Sequence, residues 1–507
     1  MNVDAEGDGL LKCCLPDFQE IPDTLYVGAN RRATRVLLLF PPLNNVVFFG
    51  VYEPLVMEIF SAIAKEEGCE AELIDLRLDP GGCERLAKRG FVPDLIGLTT
   101  HGFPEVPIVN NWVRECKRLW PDSAVVIGGG QATVTPELFD RQYIDLIVRG
   151  PGERIWRKLC RTGVSRGHCQ VIEDPNPPRV YSYPLPDRRI TAQYRKHYRT
   201  NIPHHTGRPW GRKGRTGFTL LTQGCPFRCS FCVIWPANLG LYRKRPIPEI
   251  VADLASMEEA YIYLGDDNTF ADAKYAEQLA DAIKEAGIRK EISSYCRADH
   301  ICKHPDLMKK WYDIGLRYLV VGVEAVKTDK LKELNKKVDQ EQNLLSLKIL
   351  REIGIFAIPH LLISPDMTPQ DFDDVYAFIE ENEFEYPVAI PLTPLPGTAD
   401  YTRYKTEGRI ITEKLDFYTF MYMVIEPARM TLREFNDHYD RLIFRIWSWR
   451  RFLKGKCGKL SLLGFIKWWI FARAVVLQLR WKRREIYRAA EERSRRLPAS
   501  HASHPVA

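Results

Sequence analysis

The sequence predicts an α/β chain: a doubly wound domain, then a partial (β/α)6 barrel, then a helical C-terminal region. Three observations predict it. Short apolar runs alternate with amphipathic helical patterns between residues 31 and 165. The alternation resumes for six rounds between 216 and 400. After residue 401 the strand pattern stops and helical periodicity carries on to near the end.

Composition narrows the class. A chain of 507 residues has room for two or three full cores. With 45% hydrophobic and 27% charged residues it reads as globular, not disordered or fibrous. Thirteen cysteines without regular spacing suit a reducing compartment and argue against a disulfide scaffold. Met1–Gly9 is acidic and lacks the apolar core of a signal peptide. No run of 18 uncharged apolar residues stands out as a membrane span. The expectation is a cytoplasmic protein.

Residues 1–30 read as an N-terminal extension and 31–165 as the first domain. Its expected strands are Arg35–Phe40, Ala71–Leu76, Leu95–Thr99, Ala124–Gly128 and Ile144–Val148. Helices are expected at Glu53–Gly68 and Ile108–Trp120. Such sheets take ligands beyond the carboxyl ends of their strands. The segments there are Pro41–Asn44, Thr99–Gly102, Gly128–Gln131 and Gly150–Glu153. Their glycines let the backbone come close to a large flat or phosphate-bearing ligand.

Residues 166–215 read as a proline-rich, extended link. Its short basic and aromatic stretch has no nucleic-acid-binding fold around it, so no nucleic acid is expected. The second domain, 216–400, has expected strands at Phe218–Thr222, Tyr261–Leu264, Ser293–Cys296, Tyr318–Val323, Ile355–Ile363 and Val388–Leu392. Its chemistry belongs at the carboxyl ends of these strands. Arg243–Arg245 reads as a solvated basic loop, with a phosphate or substrate contact as the alternative. In the tail, 401–507, Asp416–Met423 is aromatic and methionine-rich, as core or pocket lining would be. Helices are expected at Leu432–Arg451 and Ser461–Arg496, the second both apolar and strongly basic, as a helix resting on a membrane surface would be.

The most informative stretch is Cys225, Cys229 and Cys232, a CxxxCxxC spacing after the first barrel strand. Closely spaced thiolates gather around one metal centre, either zinc or iron–sulfur. A closed zinc site wants four ligands, and Cys296 and Cys302 lie too far off to form the missing half. Three ligands leave one position open.

With the aromatic Phe231 before the third cysteine, the motif resembles the signature of the radical S-adenosylmethionine (SAM) enzymes. The resemblance implies a [4Fe–4S] cluster on Cys225, Cys229 and Cys232, with SAM on the open iron. It also implies SAM contacts from Phe231, Asp266, Asp267, Arg297 and Glu324. The first domain, by its Gly128–Gly130 run and the Gln131–Thr133 and Pro136–Glu137 that follow, resembles a cobalamin-binding domain. That implies contacts from Asn44, Thr99, His101, Gly128, Gly129, Gly130 and Glu153. One departure is the missing DxHxxG segment, whose histidine ligates cobalt in some such domains. The Leu185–Arg188 segment and the Leu392–Thr398 turn complete a layout that resembles the cobalamin-dependent radical SAM methylases, and within them most resembles those of hopanoid C-3.

That resemblance implies methyl transfer from SAM, through methylcobalamin, to an unactivated carbon of a lipid or other apolar substrate. It also implies an electron donor such as flavodoxin or ferredoxin, and it leaves room for peripheral contact with the inner membrane. A cyclase of the same family, or a methylase of a secondary metabolite, would share the layout. No Ser/His/Asp constellation competes, and no side chain is assigned as an acid or base.

Overall fold

The computed structural model describes residues 32–42, 50–200, 215–457 and 461–496. The N-terminal extension and Asn44 lie outside the described residues.

The first sheet has six strands: β1 Arg35–Phe40, β2 Glu70–Asp75, β3 Leu95–Thr100, β4 Ala124–Gly129, β5 Leu146–Arg149 and β6 Gln170–Glu173. They run parallel in the order β2-β1-β3-β4-β5-β6. The inner strands β1, β4 and β5 are largely runs of Val, Ile and Leu because helices cover both faces. The order reverses between β1 and β3, which opens a crevice at their carboxyl ends. The sheet also extends into the segment read as a link, since β6 pairs with β5 from Leu146↔Gln170 to Arg149↔Glu173.

The second sheet also has six parallel strands, now in sequential order: β7 Thr216–Thr219, β8 Tyr261–Leu264, β9 Glu291–Cys296, β10 Leu316–Glu324, β11 Phe356–Ile363 and β12 Val388–Pro391. Helices between successive strands pack outside and bury the largest core of the molecule. This is an open, partial barrel. The expected strand Phe218–Thr222 is interrupted. The Asp266 carboxylate accepts the backbone N–H of Leu221 and Thr222 at 2.7 and 2.8 Å, and the chain leaves the sheet there. It continues as Thr222–Gly224, antiparallel to Tyr242–Lys244.

That pairing corrects the reading of Arg243–Arg245 as a solvated loop. Arg243 and Arg245 are buried. Arg245 bonds Asp253 at 3.0 Å, and Lys244 bonds Asp272 at 2.7 Å.

The link works as a rivet. Arg188 is buried and reaches Glu53 and Glu58 of the first domain, both at 3.1 Å, and Asp253 of the barrel at 2.9 Å. Asp187 accepts from Ser61 and Lys65 on the helix Leu55–Glu66. Arg195 meets Glu259 of the barrel at 2.7 Å. One guanidinium shared by three carboxylates compensates charges that burial alone would penalise.

In the tail, the expected helix Leu432–Arg451 is two helices, Leu432–Ile446 and Trp449–Leu453. The Ser448 hydroxyl caps the second by accepting the Arg451 N–H. The long helix Leu462–Arg496 follows.

Candidate active site between the two sheets

The carboxyl ends of β1, β3, β4 and β5 face the start of the barrel across a cleft of about 700 Å³. Its floor is built by leaving side chains out. Gly97, Gly128, Gly129, Gly130, Gly150 and Gly152 all border it. Gly129 has φ +99°, and a Cβ there would lie 2.3 Å from the Thr100 carbonyl oxygen. Gly97 sits under Trp156, where a Cβ would reach the indole at 3.0 Å. A floor without side chains, in a crevice at the switch point, fits a broad flat ring system such as a corrin. Of the residues assigned to cobalamin, Thr99, His101, Gly128, Gly129, Gly130 and Glu153 border this cleft.

His101 opens onto the cleft and packs its ring 5.0 Å from that of Phe40. Enclosure by the cleft walls, and then the charge of Arg77, lower its pKa, although 48% of the side chain stays accessible. Glu105 accepts the His101 backbone N–H at 2.8 Å. Burial pushes that carboxyl up to about 7.

The opposite wall starts from the cysteine loop. Gly224 (φ +80°) turns the chain so tightly that a Cβ would strike the Leu241 carbonyl oxygen at 2.1 Å. The loop is then pinned by backbone bonds from Ser230 N to Leu334 O and from Asp400 N to Ser230 O, both 3.1 Å. Cys232 N bonds Cys229 O at 3.2 Å, which brings the last two thiols onto one turn. Asn268 Nδ2 points at Cys225 Sγ and Arg297 Nη1 at Cys229 Sγ, each at 3.8 Å. N–H groups directed at cysteine sulfur are what an iron–sulfur cluster uses to tune its potential. Among the described residues no three His, Cys, Asp or Glu side chains close on a single ion. A four-iron cube carries its own sulfides and holds its thiolates wider apart, so the donor set fits a cluster. Burial pushes the Cys232 thiol up to about 12, so its thiolate needs a bound cation as partner.

The remaining residues assigned to SAM separate. Phe231 is half-buried and packs on the barrel core. Asp267 borders the cleft, accepts Gly224 N at 2.9 Å, and is pushed up to about 6 by burial. Asp266 turns the other way. It is buried under the cysteine loop, accepting from Leu221 N, Thr222 N and the Thr269 hydroxyl, and it is absent from the cleft lining. Arg297 lies 3.7 Å over the Phe227 ring and bonds Asp299 and the Lys336 carbonyl. Glu324, in a left-handed backbone (φ +64°), pairs with Lys336 at 2.7 Å and borders a second, smaller cavity of about 190 Å³.

Several cleft residues lie outside the set assigned to a cofactor. Tyr52 stacks on Tyr263 at 4.8 Å, and the Tyr263 hydroxyl donates to that of Tyr295 at 2.9 Å. Arg243 bonds Gln223 and reaches Glu153 across the domain boundary at 3.4 Å. The tail supplies a further wall: Leu415–Phe417 packs against Phe103–Glu105, and Tyr418, Thr419 and Phe420 border the cleft. Phe420 is 41% exposed with φ +62°, a strained backbone for an aromatic residue. The buried Thr419 hydroxyl has no hydrogen-bond partner among the described residues. The aromatic run is therefore part pocket lining and part core, since Phe417 and Tyr422 pack with Leu479 and Ile486.

Comparison with known proteins agrees with this arrangement. Residues 219–379 match the radical SAM superfamily and residues 43–159 match the B12 binding domain. This chain is a cobalamin-dependent radical SAM enzyme. Its cofactors are accordingly a [4Fe–4S] cluster, SAM and cobalamin. Hopanoid C-3 methylase from Methylococcus capsulatus is 26% identical over 408 residues, covering 78% of this chain and 76% of that one. The anaerobic magnesium-protoporphyrin IX monomethyl ester cyclase of Rubrivivax gelatinosus is 25% identical, covering 74% and 70%. Among solved structures, the methyltransferase TsrM from Kitasatospora setae, with cobalamin and a [4Fe–4S] cluster bound, shares the fold. Its TM-score is 0.59 at 18% identity, covering 82% of this chain and 88% of that one.

Proposed function

We propose that this enzyme moves a methyl group from SAM, through methylcobalamin, to an unactivated carbon, and that the carbon is C-3 of a hopanoid lipid. The observation that carries the reading is the shared cleft: the glycine floor of the first sheet and the Asp267 rim of the barrel border one cavity. The similarity to hopanoid C-3 methylase supports the substrate. When bound, the cluster with SAM supplies a radical able to take a hydrogen atom from an unactivated carbon, and cobalamin supplies the methyl group.

The chain's own residues bind and orient. Cys225, Cys229 and Cys232 hold the cluster, with Asn268 and Arg297 donating to sulfur. At pH 7 Asp267 is mainly ionised and attracts an ammonium group at the rim. Tyr52, Tyr263 and Tyr295 wall the space between the two sites and keep water from it. Arg188 and Arg195 hold the two domains at one separation. A flavodoxin- or ferredoxin-like donor, a cytoplasmic location and contact with the inner membrane surface complete the reading.

A second reading is a radical cyclase, favoured by the similarity to the protoporphyrin ester cyclase. Holoenzyme incubated with methyl-labelled SAM, a reductant and a hopanoid decides between them. Label in a 3-methylhopanoid supports the methylase. SAM cleavage without label in any product overturns it.

A further inference from the structure

Between Asp440 and Glu485 the chain carries thirteen Lys and Arg and no Asp or Glu. The helix Leu462–Arg496 begins within this stretch. By length and composition it is the one helix among the described residues able to cross a membrane. Its exposed apolar side chains are not scattered. Leu463, Ile470, Leu477 and Trp481 are each more than half exposed, and they recur every seven or four residues with Lys467 and Ala474 between. At 100° per residue all six fall in a stripe about 80° wide and about 27 Å long. Leu453, on the neighbouring helix Trp449–Leu453, is the most exposed large hydrophobic residue of the described chain. Its helix packs through Trp449 and Phe452 on Phe465, which lies on the opposite, buried face of the long helix, so Leu453 stands apart from the stripe.

The other face of the long helix is committed to protein. Val476, Leu479 and Ile486 are buried. Arg483 is buried too and bonds Asp440 at 2.8 Å, with Arg480 on the same carboxylate at 2.7 Å. Crossing a bilayer would pull Arg483 from Asp440 and leave a carboxylate buried alone, at a cost of several kcal/mol. Lying flat breaks nothing.

We infer that the stripe from Leu463 to Trp481 docks this protein on the surface of a bilayer rich in anionic phospholipid, with the helix axis in the membrane plane. Leucine, isoleucine and tryptophan enter the interface, while Lys467 and Arg484 meet the headgroups. The basic excess selects an anionic bilayer over a neutral one and over an acid-free apolar partner. This surface gives the membrane contact proposed above its residues and its lipid. It is independent of the methyl-transfer chemistry, so docking and methylation can fail separately.

The test is flotation of the full-length protein with vesicles of phosphatidylcholine alone or with one-third phosphatidylglycerol. The expected result is co-flotation with the anionic vesicles only, weakened by 0.5 M salt and fully reversed by alkaline carbonate. Leu463→Glu, Ile470→Glu and Leu477→Glu combined should lower partitioning about tenfold or more. Leu345→Glu, on an exposed barrel helix, should leave it unchanged, with circular dichroism melting as the check on folding. Absence of flotation, equal flotation with neutral vesicles, or a stripe variant that floats normally overturns the inference. Resistance to carbonate would show a spanning helix instead. A stripe variant that turns a dimer into a monomer and still floats would assign the face to a second copy of the chain.

Discussion

The two walls of the cleft are built by opposite means. The first sheet makes its wall by omission: Gly97, Gly129 and Gly150 leave space that a single methyl group would fill. The barrel makes its wall by placement: Asp267, Asn268 and Arg297 each reach a named atom of the cysteine loop. Omission suits a large rigid ring, where fit is a matter of shape. Placement suits a cluster and a small charged molecule, where fit is a matter of donors and charge. The same fold class thus serves two kinds of cofactor site with little shared chemistry.

If the walls are built separately, they should break separately. Cys229→Ala is expected to have the largest effect, with loss of nearly all cluster iron and of 5′-deoxyadenosine formation while cobalamin is retained. Iron content, absorbance and bound cobalamin measured on one sample check this; loss of both cofactors together would break the comparison. Next is Gly129→Val, which forces a branched side chain into a left-handed backbone against Thr100. Cobalamin affinity should fall about a hundredfold, equal to about 2.7 kcal/mol, with iron content unchanged. Equilibrium titration with cobalamin reads it.

The tail's contribution is smaller. Phe420→Gly removes the ring and relieves its strained backbone, so the melting temperature should rise while KM for the methyl acceptor increases about 3- to 10-fold. A KM unchanged by this substitution would remove the loop from the substrate wall. The smallest expected effect is at the rivet. Burial, with the charge of Glu58, raises the Glu53 carboxyl to about 8 from an ordinary 4.5. The folded protein therefore holds a proton that the unfolded chain has released. The associated stability is full below about pH 4.5 and is lost as pH rises towards 8. Glu53→Gln should flatten this dependence by about 1 kcal/mol, or roughly 2–4 °C between pH 5.5 and 8, in paired thermal melts.

Much of this was legible in the sequence because it rests on local patterns. Arg35–Phe40 is a strand in any context that buries both its faces, and Cys225–Cys232 carries its ligand spacing along the chain. What escaped depended on where side chains point. Asp266 and Asp267 are neighbours with the same chemistry, yet a turn at the strand end sends one under the loop and the other into the cleft. Arg243–Arg245 looked solvated because its partners, Glu153 and Asp253, lie 90 and 8 residues away and on different elements. The Phe420 backbone and the packing of Leu415–Phe417 on Phe103–Glu105 join segments some 300 residues apart. No local period records such a meeting.

That last packing and the Arg188 rivet sit on opposite faces of the first sheet. Arg188 meets the helix Leu55–Glu66 on one face, and Leu415 joins the core on the other. The first domain is thus held like a workpiece in a vice, with one jaw from the link and one from the tail. A body clamped from both sides has little freedom to rock. The gap between the glycine floor and the cysteine loop is thereby tied to contacts made far outside it, on both faces of the first sheet.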